Sequence, residues 1–353
     1  MLKKILVAAA VCASLLPAQT RKKVVITGLS DVDIVELRRA VPDLDIVNAS
    51  GGKVAQVTRI TADAPTDGPA RKALLDAMAG ADAYVGNPSR EVIQAGRKLQ
   101  WVQVAQAGVE LYLYPEVMNS DIVVTNYRGV AGPGIADHAL GMLLALTRKL
   151  NYFIATRTEE NWRRVPYNLL ELEGKTAVVI GMGGIGSQVA RRAGACGMHV
   201  IGVDPKDLPP SPFVEKLVYP DRLDTVLPRA DVIFVCAPDT PESAGMIGKR
   251  QFGLMKPKVF FIAVSRGRLY DIDALVEGLR SGRVAGAGVD VTVPEPLPPG
   301  HPLWKFDNVI ITPHVATQAD GEFARQMELL KDNLARFAKG ERLRNVVDKR
   351  RGY

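Results

Sequence analysis

Residues 176–204 read TAVVIGMGGIGSQVARRAGACGMHVIGVD, and their pattern predicts the fold. Its apolar start predicts a buried strand, and the glycines that follow it open a helix. A second apolar run then ends at Asp204, eighteen residues after Gly186. A strand, a tight turn, a helix and a second strand in this order form one βαβ unit of a parallel sheet.

The glycines of this unit have the spacing G-x-G-x-x-G at Gly181, Gly183 and Gly186, and the same turn contains Gly184 and Ile185. The first glycine permits the tight turn, the second lets a pyrophosphate approach the backbone, and the third lets helix and strand pack closely. The helix N-terminus offers N–H groups and a positive dipole end to the phosphates. We therefore predict a dinucleotide site; a strand-to-helix turn that binds no ligand is the alternative.

Asp204 ends the second strand of the unit. Its carboxylate can accept hydrogen bonds from both ribose hydroxyls and would repel a 2′-phosphate, which favours NAD (NADH) over NADP. Lys206 is close enough in the sequence to weaken that preference.

The α/β alternation extends over the rest of the chain in two series. From residue 21, the strand-like segments KKVVITG, DIVNAS, ADAYVGN, LQWVQVAQAG and DIVVTN alternate with helical ones. The second series begins at residue 176 and ends at NVIITPH. We expect the helix that follows, GEFARQMELLKDNLARFAKG, to pack on the domain formed by the first series. We predict an α/β protein with two Rossmann-like or flavodoxin-like domains and parallel sheets. The first is discontinuous (21–125 and 318–353), and the second, residues 126–317, binds NAD.

Composition excludes several classes of partner. The chain has 353 residues, 47% of them hydrophobic, and its net charge of +7 comes from scattered basic residues without interleaved aromatics, so we expect no nucleic-acid partner. Its cysteines Cys12, Cys196 and Cys236 have no CxxC spacing, and we predict neither a disulfide framework nor a metal site. No apolar run reaches the ~18 residues of a membrane-spanning helix.

The chain has four histidines, and only one follows a predicted strand. His138 lies within a helix, His199 lies just before a strand, and His301 lies in a proline-rich loop. His314 follows the apolar run NVIITP, where a parallel strand would end and where open α/β sheets bind their ligands. A histidine there can exchange a proton near neutral pH.

Charged residues follow two further predicted strands. Arg266, in VSRGRLYDIDAL, suits bidentate capture of a carboxylate. Asp290 and Glu295 lie in GAGVDVTVPEP, and a carboxylate touching His314 would fix the ring and favour its protonated form. Surface ion pairing is the alternative for any one of these charges taken alone.

These segments resemble the D-isomer-specific 2-hydroxyacid dehydrogenase family from about residue 100 to residue 345. The resemblance is carried by ELEGKTAVVIGMGGIG, CAPDTPESAGMIGKRQFGLMKP, SRGRLYDIDAL, AGVDVTVPEPLPPGHPLW and NVIITPHVA, in family order. It implies that Arg266 binds the carboxylate and keto oxygen of the substrate and that Glu295 pairs with His314. His314 would then exchange the hydroxyl proton while hydride moves to or from nicotinamide.

The resemblance also implies roles for four other residues and for the first domain. Asp290 and Val264 would belong to the cofactor site, with Asp290 on the nicotinamide side, and the backbone N–H groups of Ala107 and Gly108 would hold the substrate carboxylate. The first domain would bind the substrate, and the protein would be a homodimer.

The chain departs from the family pattern at three places. Ala263 replaces an asparagine, Asp137 replaces a glutamate, and Tyr270 replaces a small aliphatic residue. None of these departures removes the catalytic set of Arg266 and the Glu295–His314 pair.

The activity expected from these residues is that of an NAD-dependent 2-hydroxyacid dehydrogenase acting mainly as a 2-keto acid reductase, similar to glyoxylate or hydroxypyruvate reductases. Formate or phosphite oxidation is one alternative, although the formate enzymes pair their histidine with glutamine. An NAD-sensing scaffold of the same fold without turnover is another. The sequence does not decide which 2-hydroxy or 2-keto acid is the substrate.

The first twenty residues, MLKKILVAAAVCASLLPAQT, have the layout of a secretory signal. Lys3 and Lys4 precede an apolar stretch with small residues near Ala18, while KKVVITG already supplies the first strand of the fold. We expect export to the periplasm or secretion; an uncleaved extension on a cytoplasmic protein is the alternative. A mature protein that still begins at Met1 or Leu2 would contradict export.

Overall fold

A computed structural model describes residues 21–50, 68–160, 162 and 167–352. The predicted export signal, residues 1–20, lies outside the described residues. In the described ranges the chain forms two sheets, and every strand pair in them is parallel. The predicted α/β class with two parallel sheets is confirmed.

The first sheet has the strand order β2-β1-β3-β4-β5, which is the flavodoxin-like order. Every strand predicted between KKVVITG and DIVVTN is present. Its elements are β1 (Lys22–Ile26), α1 (Asp31–Ala40), β2 (Leu44–Asn48), α2 (Gly68–Met78), β3 (Ala83–Val85), α3 (Arg90–Ala95), β4 (Trp101–Gln103), α4 (Pro115–Met118) and β5 (Val123–Thr125).

Two helices and a seven-stranded sheet follow. The sheet has the order β12-β11-β10-β9-β6-β7-β8. Strands β7 and β8 are added on one side of β6, and β9 to β12 are added on the other side, as in Rossmann-like folds. The elements are α5 (Gly132–Thr147), α6 (Leu150–Thr156), β6 (Thr176–Ile180), α7 (Gly186–Ala195), β7 (His199–Val203), β8 (Lys216–Val218), α8 (Leu223–Val226), β9 (Val232–Val235), α9 (Lys249–Leu254), β10 (Val259–Ala263), α10 (Ile272–Arg280), β11 (Val284–Val289), β12 (Val309–Ile311) and α11 (Glu322–Lys339).

The five inner strands of the seven-stranded sheet are mostly buried, which explains why they are continuous apolar runs. Neighbouring residues of β6 enter different cores, because successive side chains of a strand point to opposite faces. Val178 packs with the side chains of α8, α9 and α10, whereas Val179 packs with those of α5 and α7. No helix in the described ranges is both long enough and apolar enough to cross a membrane.

The last helix, α11, packs on the first sheet. Its Phe337 ring lies 5.1 Å from the ring of Trp101 in β4, and both side chains are buried. Asn333, fully buried on the same helix, donates a hydrogen bond of 3.2 Å to the Gln103 side chain. The first sheet is therefore completed by residues from the far end of the chain; the domain limits 21–125, 126–317 and 318–353 stay predictions.

Candidate active site

The polar residues selected from the sequence follow four strands of the seven-stranded sheet. Asp204 follows β7, Arg266 follows β10 by three residues, Asp290 follows β11 and His314 follows β12 by three residues. Because all these strands are parallel, their carboxyl ends lie on one edge of the sheet, where such folds bind ligands.

The glycine-rich turn between β6 and α7 is close-packed on one side and open on the other. A Cβ atom on Gly181, whose φ is +87°, would lie 2.4 Å from the Cα of Ala237, and one on Gly186 would lie 1.8 Å from the carbonyl oxygen of Gly181. Gly183 is exposed, and a Cβ atom there would meet nothing within 4 Å. The open side of the turn is thus at Gly183, where a phosphate can approach the backbone.

Gly184 and Ile185 occupy the end of the same turn. A Cβ atom on Gly184 would lie 2.4 Å from the Cα of Gly129, so the turn packs against the segment that precedes α5. Ile185 is half-buried and directly precedes the first residue of α7. These contacts hold the N-terminus of α7 toward the open side of the turn.

Asp204 is buried, and its carboxylate lies against the glycine-rich turn. One oxygen accepts a hydrogen bond of 2.8 Å from the Met182 N–H, and the other accepts one of 2.9 Å from the Lys206 N–H. The end of β7 is thereby tied to the turn after β6. A negative charge therefore lies beside the turn that is open to a dinucleotide.

The Nδ1 atom of His314 lies 3.0 Å from the Glu295 Oε2 atom. The other oxygen of Glu295 accepts a hydrogen bond of 2.9 Å from the Thr292 N–H, which fixes the carboxylate from behind. Both side chains of the pair are about two-fifths exposed, at 39% and 40%, so the pair is open to a ligand. Nδ1 is engaged by Glu295, and Nε2 is the ring atom that remains for a substrate.

Asp290 holds the loop that carries His314. Its carboxylate is 2% exposed and accepts hydrogen bonds from the Thr312 hydroxyl (2.6 Å), the Val315 N–H (2.9 Å) and the Ala316 N–H (3.0 Å). The His314 N–H donates to the Asp290 carbonyl oxygen at 2.9 Å. The Asp290 carboxylate thus accepts its hydrogen bonds from the His314 loop, and its place on the nicotinamide side stays a prediction.

Sequence reasoning missed His138 and Thr312 as partners of this loop. The Thr312 hydroxyl gives its only hydrogen to Asp290, so the His138 Nε2 atom, 2.9 Å away, must donate to that hydroxyl. The His138 ring also lies 3.8 Å from the Asp290 carboxylate. The sequence shows only that His138 lies within a helix, and no sequence signal places α5 beside the end of β12.

Arg266 reaches the first sheet. Its Nη1 atom donates to the Ser265 carbonyl oxygen at 2.9 Å, and its Nε and Nη2 atoms both lie 3.4 Å from the Glu110 Oε1 atom. Glu110 belongs to the 3-10 helix Glu110–Tyr112, in the connection between β4 and β5. A Cβ atom on Gly108 would lie only 2.3 Å from Arg266 Nη2, so the predicted substrate-binding segment touches the arginine. Glu110 was not among the residues selected from the sequence.

The backbone N–H groups of Ala107 and Gly108 donate no hydrogen bond within the described residues. The Ala107 carbonyl oxygen accepts one of 2.6 Å from the Asn126 side chain, which fixes the segment. Two N–H donors beside a guanidinium form an arrangement suited to a carboxylate ligand.

The Arg266 loop and the Glu295 loop are also in contact. A Cβ atom on Gly267 would lie 2.2 Å from the carbonyl carbon of Thr292, the residue whose N–H binds Glu295. The loop of Arg266 is thus connected to His314 through the Thr292 backbone and the Glu295 side chain. Val264, two residues before Arg266, is buried at the end of β10 and donates to the Val235 carbonyl oxygen at 3.3 Å.

The residues that depart from the family pattern are accommodated. Ala263 is fully buried in β10, and its carbonyl oxygen accepts from the Asp290 N–H at 2.9 Å. The Tyr270 hydroxyl donates to the Val291 carbonyl oxygen at 2.8 Å. Burial raises the pKa of Tyr270, and the nearby charge of Glu295 adds to that increase. Asp137 pairs with Arg192 at 2.6 Å.

The site fits a dinucleotide cofactor on its own geometry. Gly183 leaves open space beside the turn, the N-terminus of α7 faces it, and the Asp204 carboxylate lies at the end of the neighbouring strand. Within the described ranges, no group of three or more histidine, cysteine or acidic side chains is arranged to hold a metal ion.

Comparison with known proteins relates this chain to one family. The model of the family described as D-isomer specific 2-hydroxyacid dehydrogenase, NAD binding domain, matches residues 140–316. The D-3-phosphoglycerate dehydrogenase of Archaeoglobus fulgidus is 37% identical over 264 residues, which are 73% of this chain but 49% of that protein. The glyoxylate reductase of Thermofilum pendens is 32% identical over 292 residues, which are 80% of this chain and 85% of that protein. The chain therefore spans about half the length of the phosphoglycerate dehydrogenase.

Solved structures with the same fold contain either dinucleotide. The D-isomer specific 2-hydroxyacid dehydrogenase of Xanthobacter autotrophicus Py2, in complex with NADPH and MES, is 26% identical with a TM-score of 0.73, over 94% of this chain and 100% of that one. The enzyme of Lactobacillus delbrueckii ssp. bulgaricus, in its NAD complexed form, is 25% identical with a TM-score of 0.71, over 93% and 100%.

Two glycine-to-alanine variants separate cofactor binding from folding in the glycine-rich turn. Gly183→Ala should keep the unfolding free energy, because its Cβ atom meets nothing, and should weaken NADH binding about tenfold or more by filling the open side. Gly186→Ala should lower the unfolding free energy by about 3 kcal/mol because its Cβ atom would clash with the Gly181 carbonyl oxygen.

Urea unfolding and titration of NADH fluorescence measure the two effects of these variants. Unchanged NADH affinity in Gly183→Ala would show that no phosphate approaches the open side of the turn.

Proposed function

The chain belongs to the D-isomer specific 2-hydroxyacid dehydrogenase family, and we propose that it is an NAD-dependent dehydrogenase of small 2-hydroxy acids that works mainly as a 2-keto acid reductase. The observation that carries the proposal is the His314–Glu295 pair at 3.0 Å, linked through Thr292 and Gly267 to Arg266. In this proposal His314, a proton donor, and Arg266, which can bind a carboxylate, lie at the same crevice at the carboxyl ends of β10 and β12.

Each residue of the crevice has a chemical task in this proposal. Arg266, with the N–H groups of Ala107 and Gly108, binds the carboxylate of a 2-keto acid and places its carbonyl oxygen toward His314. A nicotinamide dinucleotide bound at the glycine-rich turn would supply the hydride for reduction and accept it in the reverse direction. Negative charge that develops on the carbonyl oxygen is stabilised by Arg266 and removed when His314 Nε2 gives up its proton.

Glu295 keeps the ring of His314 in the orientation that this proton transfer needs. Its carboxylate accepts the Nδ1–H and thereby leaves Nε2 toward the substrate, while the Thr292 N–H prevents the carboxylate from turning away. In the oxidative direction the same contact stabilises the positive charge that the ring gains.

Replacement of His314 tests the proposal directly. His314→Gln should reduce kcat for NADH-dependent reduction by about 10²-fold or more, because the proton donor is lost, and should leave the dissociation constant of NADH within about twofold. The assay uses glyoxylate, hydroxypyruvate, pyruvate and bulkier 2-keto acids.

His199→Gln is the matched control, since the His199 Nδ1 atom also lies 3.0 Å from a glutamate, Glu215, at the opposite end of β7 from Asp204. Near-normal rates in His314→Gln would remove His314 from the mechanism. A wild-type protein that binds NADH but reduces none of these acids would instead support an NAD-sensing role without turnover.

The preference for NAD over NADP is part of the proposal and rests on Asp204. Its buried carboxylate lies beside the glycine-rich turn, where it can accept from ribose hydroxyls and repel a 2′-phosphate. Lys206 is exposed nearby and opposes this preference.

Asp204→Asn should therefore change the ratio of kcat/KM for NADH to that for NADPH by about tenfold in favour of NADPH, because the variant loses the charge but keeps an acceptor. Asp207→Asn, three residues further along, is the control. Equal kcat/KM values of the wild-type protein with the two dinucleotides would contradict the role given to Asp204.

A homodimer is the assembly we propose, because α6 exposes an apolar and aromatic surface. Leu150, Tyr152 and Ile154 are 47%, 43% and 61% exposed, and the rings of Tyr152, Phe153 and Tyr167 contact one another beside them. A second copy of the chain would cover this surface. Sedimentation velocity should give the mass of a dimer, and Ile154→Glu should give that of a monomer; a monomeric wild-type protein would contradict the proposal.

A further inference from the structure

Arg266 already has a carboxylate beside it. The Glu110 Oε1 atom lies 3.4 Å from both the Nε and the Nη2 atoms of Arg266. This edge of a guanidinium is one that binds a carboxylate through two parallel hydrogen bonds. The Nη1 atom, in contrast, is engaged by the Ser265 carbonyl oxygen at 2.9 Å. Glu110 thus occupies the edge of Arg266 that a ligand carboxylate would use.

The contact between Glu110 and Arg266 is loose enough to be exchanged. Charge-assisted hydrogen bonds are typically about 2.7–2.9 Å long, and both contacts here are longer. The two side chains are 49% and 35% exposed, so water screens the attraction between them. A ligand carboxylate can therefore displace Glu110 from the guanidinium without a large loss of stability.

Glu110 also contacts the segment that is predicted to hold the substrate carboxylate. A Cβ atom on Gly108 would lie 2.8 Å from the Glu110 Oε2 atom and 2.3 Å from the Arg266 Nη2 atom, so the three residues pack together. Leu111, the next residue of the 3-10 helix, is 74% exposed. The Glu110 carboxylate therefore lies against the segment predicted to hold the substrate carboxylate, and an exposed apolar residue follows it in the chain.

We propose that Glu110 is a specificity-determining residue that competes with the substrate carboxylate for Arg266 and disfavours 2-keto acids with a second negative charge. This inference rests on the proposed function, since it concerns the substrate of the same crevice. A second carboxylate or a phosphate on the substrate would be repelled by Glu110, whereas an uncharged side chain would not. The substrates are therefore 2-keto monocarboxylates with uncharged side chains.

The test compares two four-carbon substrates that differ in one charge, 2-ketobutyrate and oxaloacetate, at saturating NADH. In Glu110→Gln, the KM for 2-ketobutyrate should fall by about threefold or more, because the competing charge is gone. The kcat/KM for oxaloacetate relative to 2-ketobutyrate should rise by about tenfold. Glu36→Gln is the control: it removes a charge on α1 that pairs with Lys331 of α11, and it should leave both quantities unchanged.

A binding measurement separates this inference from the proposed function. Oxamate, a monocarboxylate analogue of a 2-keto acid, should bind the NADH complex of Glu110→Gln more tightly than that of the wild-type protein in isothermal titration calorimetry. If the wild-type protein reduces no 2-keto acid, the proposed function is wrong, but tighter oxamate binding would still support competition by Glu110.

Three results would overturn the inference. In the first, Glu110→Gln leaves both the oxamate affinity and the ratio of kcat/KM for oxaloacetate to that for 2-ketobutyrate within twofold of the wild-type values. Glu110 would then form only a surface ion pair with Arg266. A fall in kcat without a change in KM would mean that Glu110 acts on the reaction step instead. Weaker oxamate binding in Glu110→Gln would mean that Glu110 helps to hold the ligand.

Discussion

The buried carboxylate of Asp290 ties the end of β11 to the loop after β12, and the candidate active site depends on this connection. Three hydrogen bonds from Thr312, Val315 and Ala316 converge on it, and His314 lies between their donors. His314 has a φ of +52°, a left-handed conformation that costs a non-glycine residue roughly 1–2 kcal/mol. The hydrogen bonds around Asp290 offset this cost and fix the ring in reach of Glu295.

The crevice is assembled from both sheets by close backbone contacts. Gly184 of the glycine-rich turn packs against Gly129, and a Cβ atom on Gly132 would lie 2.3 Å from the Gly184 carbonyl oxygen. These contacts join the segment after β5 to the turn after β6. The segment after β4 approaches from the other side, where Gly108 lies against Arg266. Larger residues at these positions would separate the substrate side of the crevice from the cofactor side.

The charges of the site are arranged along the path that a ligand would take. Asp204 lies beside the turn open to a dinucleotide, Arg266 and Glu110 face each other where a carboxylate would bind, and Glu295 stands behind His314. A cation and an anion therefore lie side by side where a carboxylate would bind, and single carboxylates lie at the dinucleotide turn and behind the histidine. Arg266 and His314 lie in loops beyond the ends of their strands, and their side chains are 35% and 39% exposed.

The fold and much of the site follow from local sequence patterns. The sequence predicts the five strands from β1 to β5, the glycine-rich turn and the family membership. It can do so because the spacing of apolar residues, the residues that form turns and the ends of strands are local properties of the chain. The edge strand β8 was not, because its three residues, KLV, are too few to show a pattern.

Glu110, His138 and Thr312 acquire their positions only from contacts between elements far apart in the chain. Glu110 is 156 residues from Arg266, and His138 is 174 residues from Thr312. Sequence patterns were thus enough to select Arg266, Asp290 and His314 at strand ends, and the family resemblance to pair Glu295 with His314. The partners Glu110 of Arg266 and His138 of Thr312 depend on tertiary structure, because the distances between these distant segments are set by how helices and sheets pack and not by any local pattern.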